Sequence, residues 1–334
     1  MMKILDLRKI QGCYWGLALG DALGKPVEFD DISQIKSQYG PSGIQDLMNY
    51  AIWTDDTEMI IAVSRALLRM GNSETIKTLD DDRIGKTFAE EFIKWFDNPG
   101  HAPGNTCKSS VYSLIKNGAE TWRNSGNNNS KGCGTAMRAA PIGIWFADSI
   151  ESELPKGQGE IHKLLRKISQ IQSEITHGHK GATAAALASS YSVALAINKI
   201  HPKDMIDPIE RYCKNIHTDF DEAINRIRVA LDKIMSGEFK TDLEALHFIG
   251  KGWVGEEAFS MALYCAIRYP LDLKECLRTA VNHSGDSDSV GCIAGSIIGA
   301  YNGIEIVPND WVEKLAENNR IQKLLNTIKK FFNI

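Results

Sequence analysis

Carboxylate and hydroxyl side chains concentrate in two short segments near opposite ends of the chain. The first is Trp-Thr-Asp-Asp-Thr-Glu at 53–58, and the second is His-Ser-Gly-Asp-Ser-Asp-Ser at 283–289. Clustered carboxylates repel one another unless a cation or a proton lies between them. Ligand sets made only of oxygen select magnesium, manganese or calcium over zinc or copper. If folding brings the two segments together, they can hold two such ions, which is typical of a metal-dependent hydrolase.

Each acidic segment can also be interpreted as a helix start. Thr54 or Asp55 can serve as an N-cap, with Glu58 placed for a capping box, and 286–289 likewise precedes a helical pattern. For one segment alone, the capping interpretation is favoured. The presence of both, each beside a glycine-rich helix, favours a metal site. The calcium-loop pattern does not apply, because its glycine and distal glutamate are absent.

The hydrophobic pattern that must position these segments is helical almost throughout, and convincing strand runs with period-two alternation are missing. Residues at 10–18 and 60–68 recur at helical spacing, and the stretches 182–196 and 257–268 indicate buried helices. The polar tract at 124–130 is interpreted as a surface excursion, because candidate site segments lie on both sides of it.

Glycines recur every fourth residue in two of the helical segments. One set lies in the first helix and the other in the helix after the second acidic segment: Gly12, Gly16, Gly20 and Gly24, and then Gly291, Gly295, Gly299 and Gly303. Each glycine inside a helix costs about 1 kcal/mol relative to alanine, so four on one face need a packing reason. We hypothesise that the two helices pack against each other or against common neighbours, which would bring the acidic segments together.

Other segments carry weaker signals. A loop of small residues precedes a predicted helix and could cradle a phosphate with its backbone N–H groups, although a simple turn is an equal alternative. It matches neither the nucleotide P-loop nor the dinucleotide fingerprint. The candidate contacts in it are Gly132, Cys133, Gly134, Thr135, Met137 and Arg138.

Four positions elsewhere are also open to two interpretations. His177 could contact a base or ribose, while the neighbouring Thr176 could simply cap the next helix. Trp253 and Glu256 offer an aromatic face and a carboxylate, yet could be core and a helix N-terminus.

Two acidic residues, one within the first glycine-rich helix and one just after it, also have an ordinary structural interpretation. Glu28 follows the predicted end of that helix, and alone it would be a solvated loop residue. Asp21 would cap or hydrogen-bond nearby backbone.

Composition narrows the class of protein and its partners. The 334 residues are 43% hydrophobic and 24% charged, with a net charge of −4 and no basic run, which argues against nucleic acid as a partner. No apolar stretch approaches the roughly 20 residues that span a bilayer, so no membrane partner is expected. The seven cysteines are scattered without a Cys-x-x-Cys pair, which favours reduced thiols and a cytoplasmic location.

Taken together, the segments resemble the ADP-ribosylglycohydrolase family in order and over nearly the whole chain. The resemblance rests on Gly-Leu-Ala-Leu-Gly-Asp-Ala-Leu-Gly with Glu28, Trp-Thr-Asp-Asp-Thr-Glu-Met, Ala-Pro-Gly-Asn-Thr at 102–106, Gly-Cys-Gly-Thr-Ala-Met-Arg-Ala-Ala-Pro, Thr-His-Gly-His, and Ser-Gly-Asp-Ser-Asp-Ser-Val-Gly. It implies one all-α domain over 1–334, a compact orthogonal helical bundle with a binuclear magnesium or manganese centre.

The resemblance also implies roles for residues of this chain. The expected reaction is hydrolysis of the glycosidic bond between ADP-ribose and an acceptor, most readily an arginine of a protein, although a small ADP-ribosyl compound is an alternative substrate. The catalytic residues would be Glu28, Asp56 and Asp286. The loop at 132–138 would cradle the diphosphate, and His177 would line the ADP-ribose pocket. The metal ligands would be Thr54, Asp55, Asp56, Asp286, Asp288 and Ser289.

The sequence departs from the family pattern at two places. Ser289 stands where many relatives have threonine, and Ala102-Pro103 stands where some have an aspartate, so a mechanism that uses that aspartate does not transfer. The motif forms resemble those of a bacterial subgroup. Two other functions stay open from the residues: a two-metal phosphohydrolase acting on a nucleotide, and a non-catalytic ADP-ribose-binding relative.

Overall fold

The computed structural model describes residues 6–154 and 157–334. In these ranges the secondary structure is helical, as the hydrophobic periodicity predicts. The α-helices in chain order are α1 Leu7–Gly24, α2 Ile32–Tyr39, α3 Asp55–Met70, α4 Ser73–Lys77, α5 Asp81–Phe96, α6 Asn105–Asn117, α7 Ala140–Ile150, α8 Glu160–Glu174, α9 Lys180–Ile197, α10 Ile206–Cys213, α11 Thr218–Met235, α12 Asp242–Ile249, α13 Gly255–Arg268, α14 Leu273–Val281, α15 Ser287–Asn302, α16 Asn309–Lys314 and α17 Asn318–Phe332.

Pairing between extended segments is confined to isolated bridges in the described part of the chain. Three of them join loops that carry the predicted motifs: Thr54 with His101, Asn127 with His177, and Gly132 with Val254. The all-α fold class is therefore confirmed. Each bridge joins one loop to another and so helps to position the motifs.

The two glycine ladders pack against each other. A Cβ added to Gly16 would lie 2.2 Å from the backbone oxygen of Gly295, and one added to Gly20 would lie 2.1 Å from that of Gly291. The same holds at Gly12, where the neighbour is the backbone oxygen of Gly299 at 2.3 Å. Helices α1 and α15 thus run antiparallel with their backbones in direct contact, which only glycine allows.

This contact determines where the ends of the two helices lie. Because α1 and α15 are antiparallel, the C-terminal end of α1 lies beside the N-terminal end of α15. A Cβ on Gly24 would lie 2.5 Å from the backbone of Asp288. Glu28, which follows α1, and the acidic segment that starts α15 therefore meet at one end of the pair. The predicted packing of the two glycine-rich helices against each other is confirmed.

The local details of the helix starts differ in part from expectation. Thr54 is the N-cap of α3, where its Oγ1 accepts from the Asp56 amide at 3.2 Å. Glu58 forms no capping box; it accepts from Trp53 Nε1 at 2.9 Å and pairs with Arg320. Its side chain ties α3 to α17, so it supports the fold and does not face a ligand.

The structure also bears on the polar tract, the cysteines and the expected absence of membrane-spanning helices. The polar tract at 124–130 is largely exposed, but it is also tied down, because the Asn127 amide donates to the Thr176 carbonyl at 2.9 Å. All seven cysteines are free thiols. Among the described helices, none combines the length and apolar composition needed to cross a membrane.

Replacing Gly16 with alanine should destabilise the protein by at least about 3 kcal/mol, at the upper end of overpacking effects, because the new methyl group meets backbone that cannot move aside. Thermal or urea unfolding measures the change. Gly104→Ala is the matched control, since its added Cβ has no neighbour within 4 Å and its φ is −57°. Equal stability of the two variants would contradict backbone contact between α1 and α15.

Candidate metal centre and substrate cleft

A cleft of about 590 Å³ opens above the point where the two acidic segments meet. It is lined by residues from the loop after α1, the start of α3, the turn that leads into α6, the loop before α7, the loop before α13 and the start of α15. Its lining residues are Glu28, Phe29, Asp55, Asp56, Ala102, Pro103, Gly104, Asn105, Thr106, Cys107, Lys108, Gly132, Cys133, Gly134, Met137, His177, Trp253, Asp286, Asp288 and Ser289.

Five carboxyl groups converge at the base of this cleft, and all are buried. Burial raises the pKa of Glu28 to about 8, with further upward contributions from the charges of Asp286, Asp55 and Asp21. Burial likewise raises the pKa of Asp56 well above its usual range, with the nearby carboxylates adding to the effect. The pKa values of Asp55, Asp286 and Asp288 shift in the same direction, again chiefly through burial.

Asp21 holds the first acidic segment in place. Its carboxylate is fully buried and accepts from the Thr54 amide at 2.8 Å, the Thr57 amide at 2.9 Å and the Thr57 hydroxyl at 2.5 Å. Burial raises the pKa of Asp21 to about 6, and these hydrogen bonds oppose the rise. Asp21 therefore connects the end of α1 to the first turn of α3, where Asp55 and Asp56 lie.

The second acidic segment is fixed by its own helix start and by a thiol. Asp286 is the N-cap of α15, and its Oδ1 accepts from the Ser289 amide at 3.3 Å. Its other oxygen accepts from Cys133 Sγ at 2.7 Å. The Ser289 hydroxyl lies 3.4 Å from the same sulfur. The 132–138 loop is thus bound directly to the acidic segment, a contact that the sequence pattern did not reveal.

The side chains at the base of the cleft carry oxygen atoms of the kind that bind hard divalent cations. Asp56 Oδ2 is buried without a hydrogen-bond partner, which is costly for a carboxylate oxygen unless a cation is bound. Four aspartates and Glu28 carry about −5 when ionised, which two divalent ions would nearly neutralise. Among the described residues, no group of three or more Asp, Glu, His or Cys side chains is close enough together to hold a metal ion as the structure stands.

Arg138 lies beneath the cleft and not in it. It is fully buried, and its guanidinium donates to Gln172 Oε1 at 2.7 Å, the Gln172 carbonyl at 2.7 Å and Thr176 Oγ1 at 2.8 Å. Thr176 in turn contacts His177 Nδ1 at 2.9 Å. Thr176 is therefore not a helix cap; His179 caps α9 by accepting from the Gly181 amide. The chain of contacts from Arg138 orients His177.

His177 faces the 132–134 loop from the cleft wall. Burial, with the Arg138 charge adding to the effect, lowers the pKa of His177 to about 3, so the imidazole is neutral. A Cβ on Gly134 would lie 3.0 Å from both this ring and the Cys107 sulfur. Gly134 is therefore required for close packing of the loop, which is a simpler reason for glycine here than contact with a phosphate.

Glu256 is buried behind the same loop. Its Oε1 accepts from Lys131 Nζ at 2.6 Å, and Lys131 also pairs with Asp219. The bond links α13 to the residue that precedes Gly132. Glu256 thus positions the loop, and its placement differs from the expectation of a direct substrate contact.

The structure brings most of the expected site residues to the cleft but not all of them. Thr54 is buried in its capping role beneath it, and Thr135 donates to the Ala182 carbonyl at 2.9 Å. Sequence reasoning missed Phe29, Cys107, Lys108 and the N-terminus of α6 as cleft components. The 102–106 motif was the available signal for α6, although nothing in its composition gave it a role. The expected site residues outside the cleft lining are Thr54, Thr135, Arg138 and Glu256.

The chain belongs to the ADP-ribosylglycohydrolase family, whose model matches residues 2–333. The class of reaction is accordingly hydrolysis of an ADP-ribose linkage. Over 318 residues the chain is 28% identical to the ADP-ribosyl-[dinitrogen reductase] glycohydrolase of Rhodospirillum rubrum, covering 91% of this chain and 89% of that protein.

Two further relatives extend the comparison. The chain is 24% identical to the ADP-ribosylarginine hydrolase Tri1 of Pseudomonas putida over 327 residues, covering 95% of this chain and 77% of Tri1. A solved structure, described as an ADP-ribosylglycohydrolase-related protein complex, superposes with a TM-score of 0.68 at 20% identity and covers 98% of both chains. That likeness supports the fold.

Replacing Asp21 with asparagine should cost about 3 kcal/mol of stability, because an amide NH₂ would face N–H and O–H donors that the carboxylate now satisfies. Urea unfolding measures the loss. Asp30→Asn makes the same chemical change nine residues further along, where no side-chain hydrogen bond is formed, and should be nearly neutral. A stable Asp21→Asn protein would show that Asp21 does not hold the start of α3.

Adding 1 mM Mg²⁺ or Mn²⁺ to EDTA-treated protein should raise the melting temperature by about 5 °C at pH 8 and by less at pH 6. Because the folded-state pKa values of these carboxyls are raised, metal-free protein gains stability as the pH falls through those values, and at low pH protons compete with the cations.

Comparing thermal melts with and without metal at each pH separates the effect of metal binding on the melting temperature from the effects of other titrating groups. Asp56→Asn combined with Asp288→Asn should remove the metal-induced rise, and Asp30→Asn should retain it. A rise that is equal at both pH values, or that survives the double substitution, would contradict cation binding at this cluster.

Proposed function

We propose that the protein hydrolyses the glycosidic bond between ADP-ribose and an arginine acceptor with the help of two Mg²⁺ or Mn²⁺ ions. The observation that carries the proposal is the convergence of Glu28, Asp55, Asp56, Asp286 and Asp288 at the base of one cleft, from the two ends of the chain. Membership of the family supplies the reaction class.

The ions would be held by the residues assigned from the family resemblance: Thr54, Asp55, Asp56, Asp286, Asp288 and Ser289. Bound there, they would supply Lewis-acid polarisation and orient the ribose hydroxyls and an attacking water. The carboxylates that would hold them lie at the starts of α3 and α15. The site is therefore preorganised by Asp21 on one side and by Cys133 on the other.

Glu28 is suited to move a proton at the reacting centre. It is a carboxyl group buried beside the four aspartates at the base of the cleft, and a carboxyl group placed there can act as a general acid or base. It can therefore take a proton from the attacking water and release it to the acceptor nitrogen as the glycosidic bond breaks. Asp56 and Asp286 support this by their charge and by positioning.

The first turn of α6, which forms part of the cleft wall, offers groups that suit the diphosphate of ADP-ribose. Gly104 is the N-cap of α6 and has no capping side chain, so the N–H groups of the first turn are available to an anion. Lys108 adds a positive charge to the same wall. The neutral imidazole of His177 can hydrogen-bond a ribose hydroxyl without repelling a cation. ADP-ribose therefore has polar partners along the length of the cleft.

An arginine acceptor is supported by a relative. The Pseudomonas putida relative is named for ADP-ribosylarginine. No carboxylate stands at Ala102, so Glu28 is the carboxyl group that this chain offers for the proton transfer.

Incubation with an ADP-ribosylated arginine peptide and Mg²⁺ or Mn²⁺ should release intact ADP-ribose, detected by mass spectrometry. EDTA should abolish the release. Glu28→Gln keeps the shape of the side chain but not its proton chemistry, and should lower kcat by about 10²- to 10⁴-fold. Asp30→Asn, two residues away, should leave kcat unchanged.

Two results would contradict the proposal. Release of AMP or phosphate in place of intact ADP-ribose would indicate a two-metal phosphohydrolase. Binding of ADP-ribose by folded, metal-loaded protein without turnover of arginine-, serine- or small-molecule-linked substrates would indicate a non-catalytic binding protein.

A further inference from the structure

Two large aromatic side chains are exposed at the rim of the cleft. Phe29 is 71% exposed and Trp253 is 41% exposed, and both line the cleft. Their rings stack with centroids 5.8 Å apart and an interplanar angle of 16°. Large apolar faces left open beside a cleft commonly mark a binding surface.

The backbone holds both rings in place. Phe29 follows a 3₁₀ turn at Lys25–Val27. The Trp253 carbonyl accepts from the Cys133 amide at 3.3 Å. Gly252 precedes Trp253 with a φ of 82°, and a Cβ there would lie 3.3 Å from Asp286 Cβ. The backbone that carries both residues is therefore constrained, and the two rings pack against each other.

The position of the pair in the cleft identifies the part of the substrate that it would meet. Phe29 is covalently next to Glu28, and Trp253 is one residue from the glycine that packs on Asp286. The rings thus lie beside the carboxyls that would act on the glycosidic bond. In an ADP-ribosylated acceptor, the acceptor is attached at that bond, whereas the adenine is separated from it by two riboses and a diphosphate.

The chemistry of the two rings also argues that they do not bind the diphosphate. Neither ring presents a donor group along its face that suits a diphosphate, whereas the first turn of α6 and Lys108, which line the same cleft, do. A stacked phenyl and indole present π faces, which bind planar cations. A planar, positively charged acceptor fits this combination better than a hydroxyl-linked one.

We propose that Phe29 and Trp253 bind the guanidinium group of the ADP-ribosylated arginine and thereby select arginine as the acceptor. This inference rests on the proposed function, and it adds the residues that recognise the acceptor. Trp253 supplies the larger face, and Phe29 supports it and closes the side next to Glu28.

The test compares the affinities of two ligands for a Glu28→Gln background, in which turnover is slowed. Isothermal titration with ADP-ribosylarginine and with ADP-ribose gives the increase in affinity that is due to the guanidinium group. Trp253→Leu, which keeps an apolar side chain but removes the π face, should reduce that increase by about tenfold. It should leave the affinity for ADP-ribose within about twofold. Phe29→Leu should act in the same direction with a smaller effect.

Conservative and distant variants serve as controls. Trp253→Phe should restore most of the guanidinium-dependent affinity. Tyr112→Ala removes an aromatic side chain that is 62% exposed on α6 and does not line the cleft, and it should change neither ligand. In the Glu28 protein, kcat/KM for ADP-ribosylarginine should fall with Trp253→Leu, while kcat/KM for an ADP-ribosylserine peptide should not.

Two outcomes would overturn the inference. Equal loss of affinity for ADP-ribose and ADP-ribosylarginine in Trp253→Leu would place the pair on the ADP-ribosyl part of the ligand. No change for either ligand would show that the pair takes no part in binding. Failure of the proposed function is a separate result: the Glu28 protein would then release no ADP-ribose, while the affinity ratio in the Glu28→Gln background would still be measured.

Discussion

The backbone contact between α1 and α15 is the constraint on which the site depends. Glycines face glycines along both helices, so the two chains of peptide groups approach more closely than any side chain would permit. The contact joins segments that are more than 250 residues apart in sequence. Because it is antiparallel, it delivers the end of the first helix and the start of a late helix to the same place. The acidic cluster is a direct consequence of that geometry.

Side-chain hydrogen bonds then order the residues where the two helix ends meet. Asp21 is buried near the end of α1 and holds the backbone at the start of α3, while Asp286 caps α15 and accepts a hydrogen bond from Cys133. Buried carboxylates gathered in this way are unfavourable without compensation, and their raised pKa values reflect that burial and repulsion. Divalent cations would remove the cost. The folding energy of the helices therefore maintains an arrangement that the carboxylates would not adopt alone.

The sequence predicts the helical class, the glycine contact and most of the cleft because these depend on local periodicity and on residue types with few structural uses. It does not predict the roles of Arg138 and Glu256. Both are charged residues beside a small-residue loop, and charge there suggests ligand contact until burial shows otherwise. Arg138 bonds to Gln172 and Thr176, and Glu256 bonds to Lys131. Such partners come from distant helices and carry no local signal. The exposure of Phe29 is likewise a tertiary property, since a phenylalanine in a sequence is by default expected in the core.

The most direct test of this arrangement is electron paramagnetic resonance of the EDTA-stripped protein titrated with Mn²⁺. If the two acidic segments form one binuclear centre, two ions bind per chain and give a spin-coupled spectrum. The coupling should then disappear when either Asp56 or Asp288 is replaced by asparagine. Two uncoupled ions, each lost independently with its own segment, would mean that the segments bind metal separately and that the α1–α15 contact does not build a shared site.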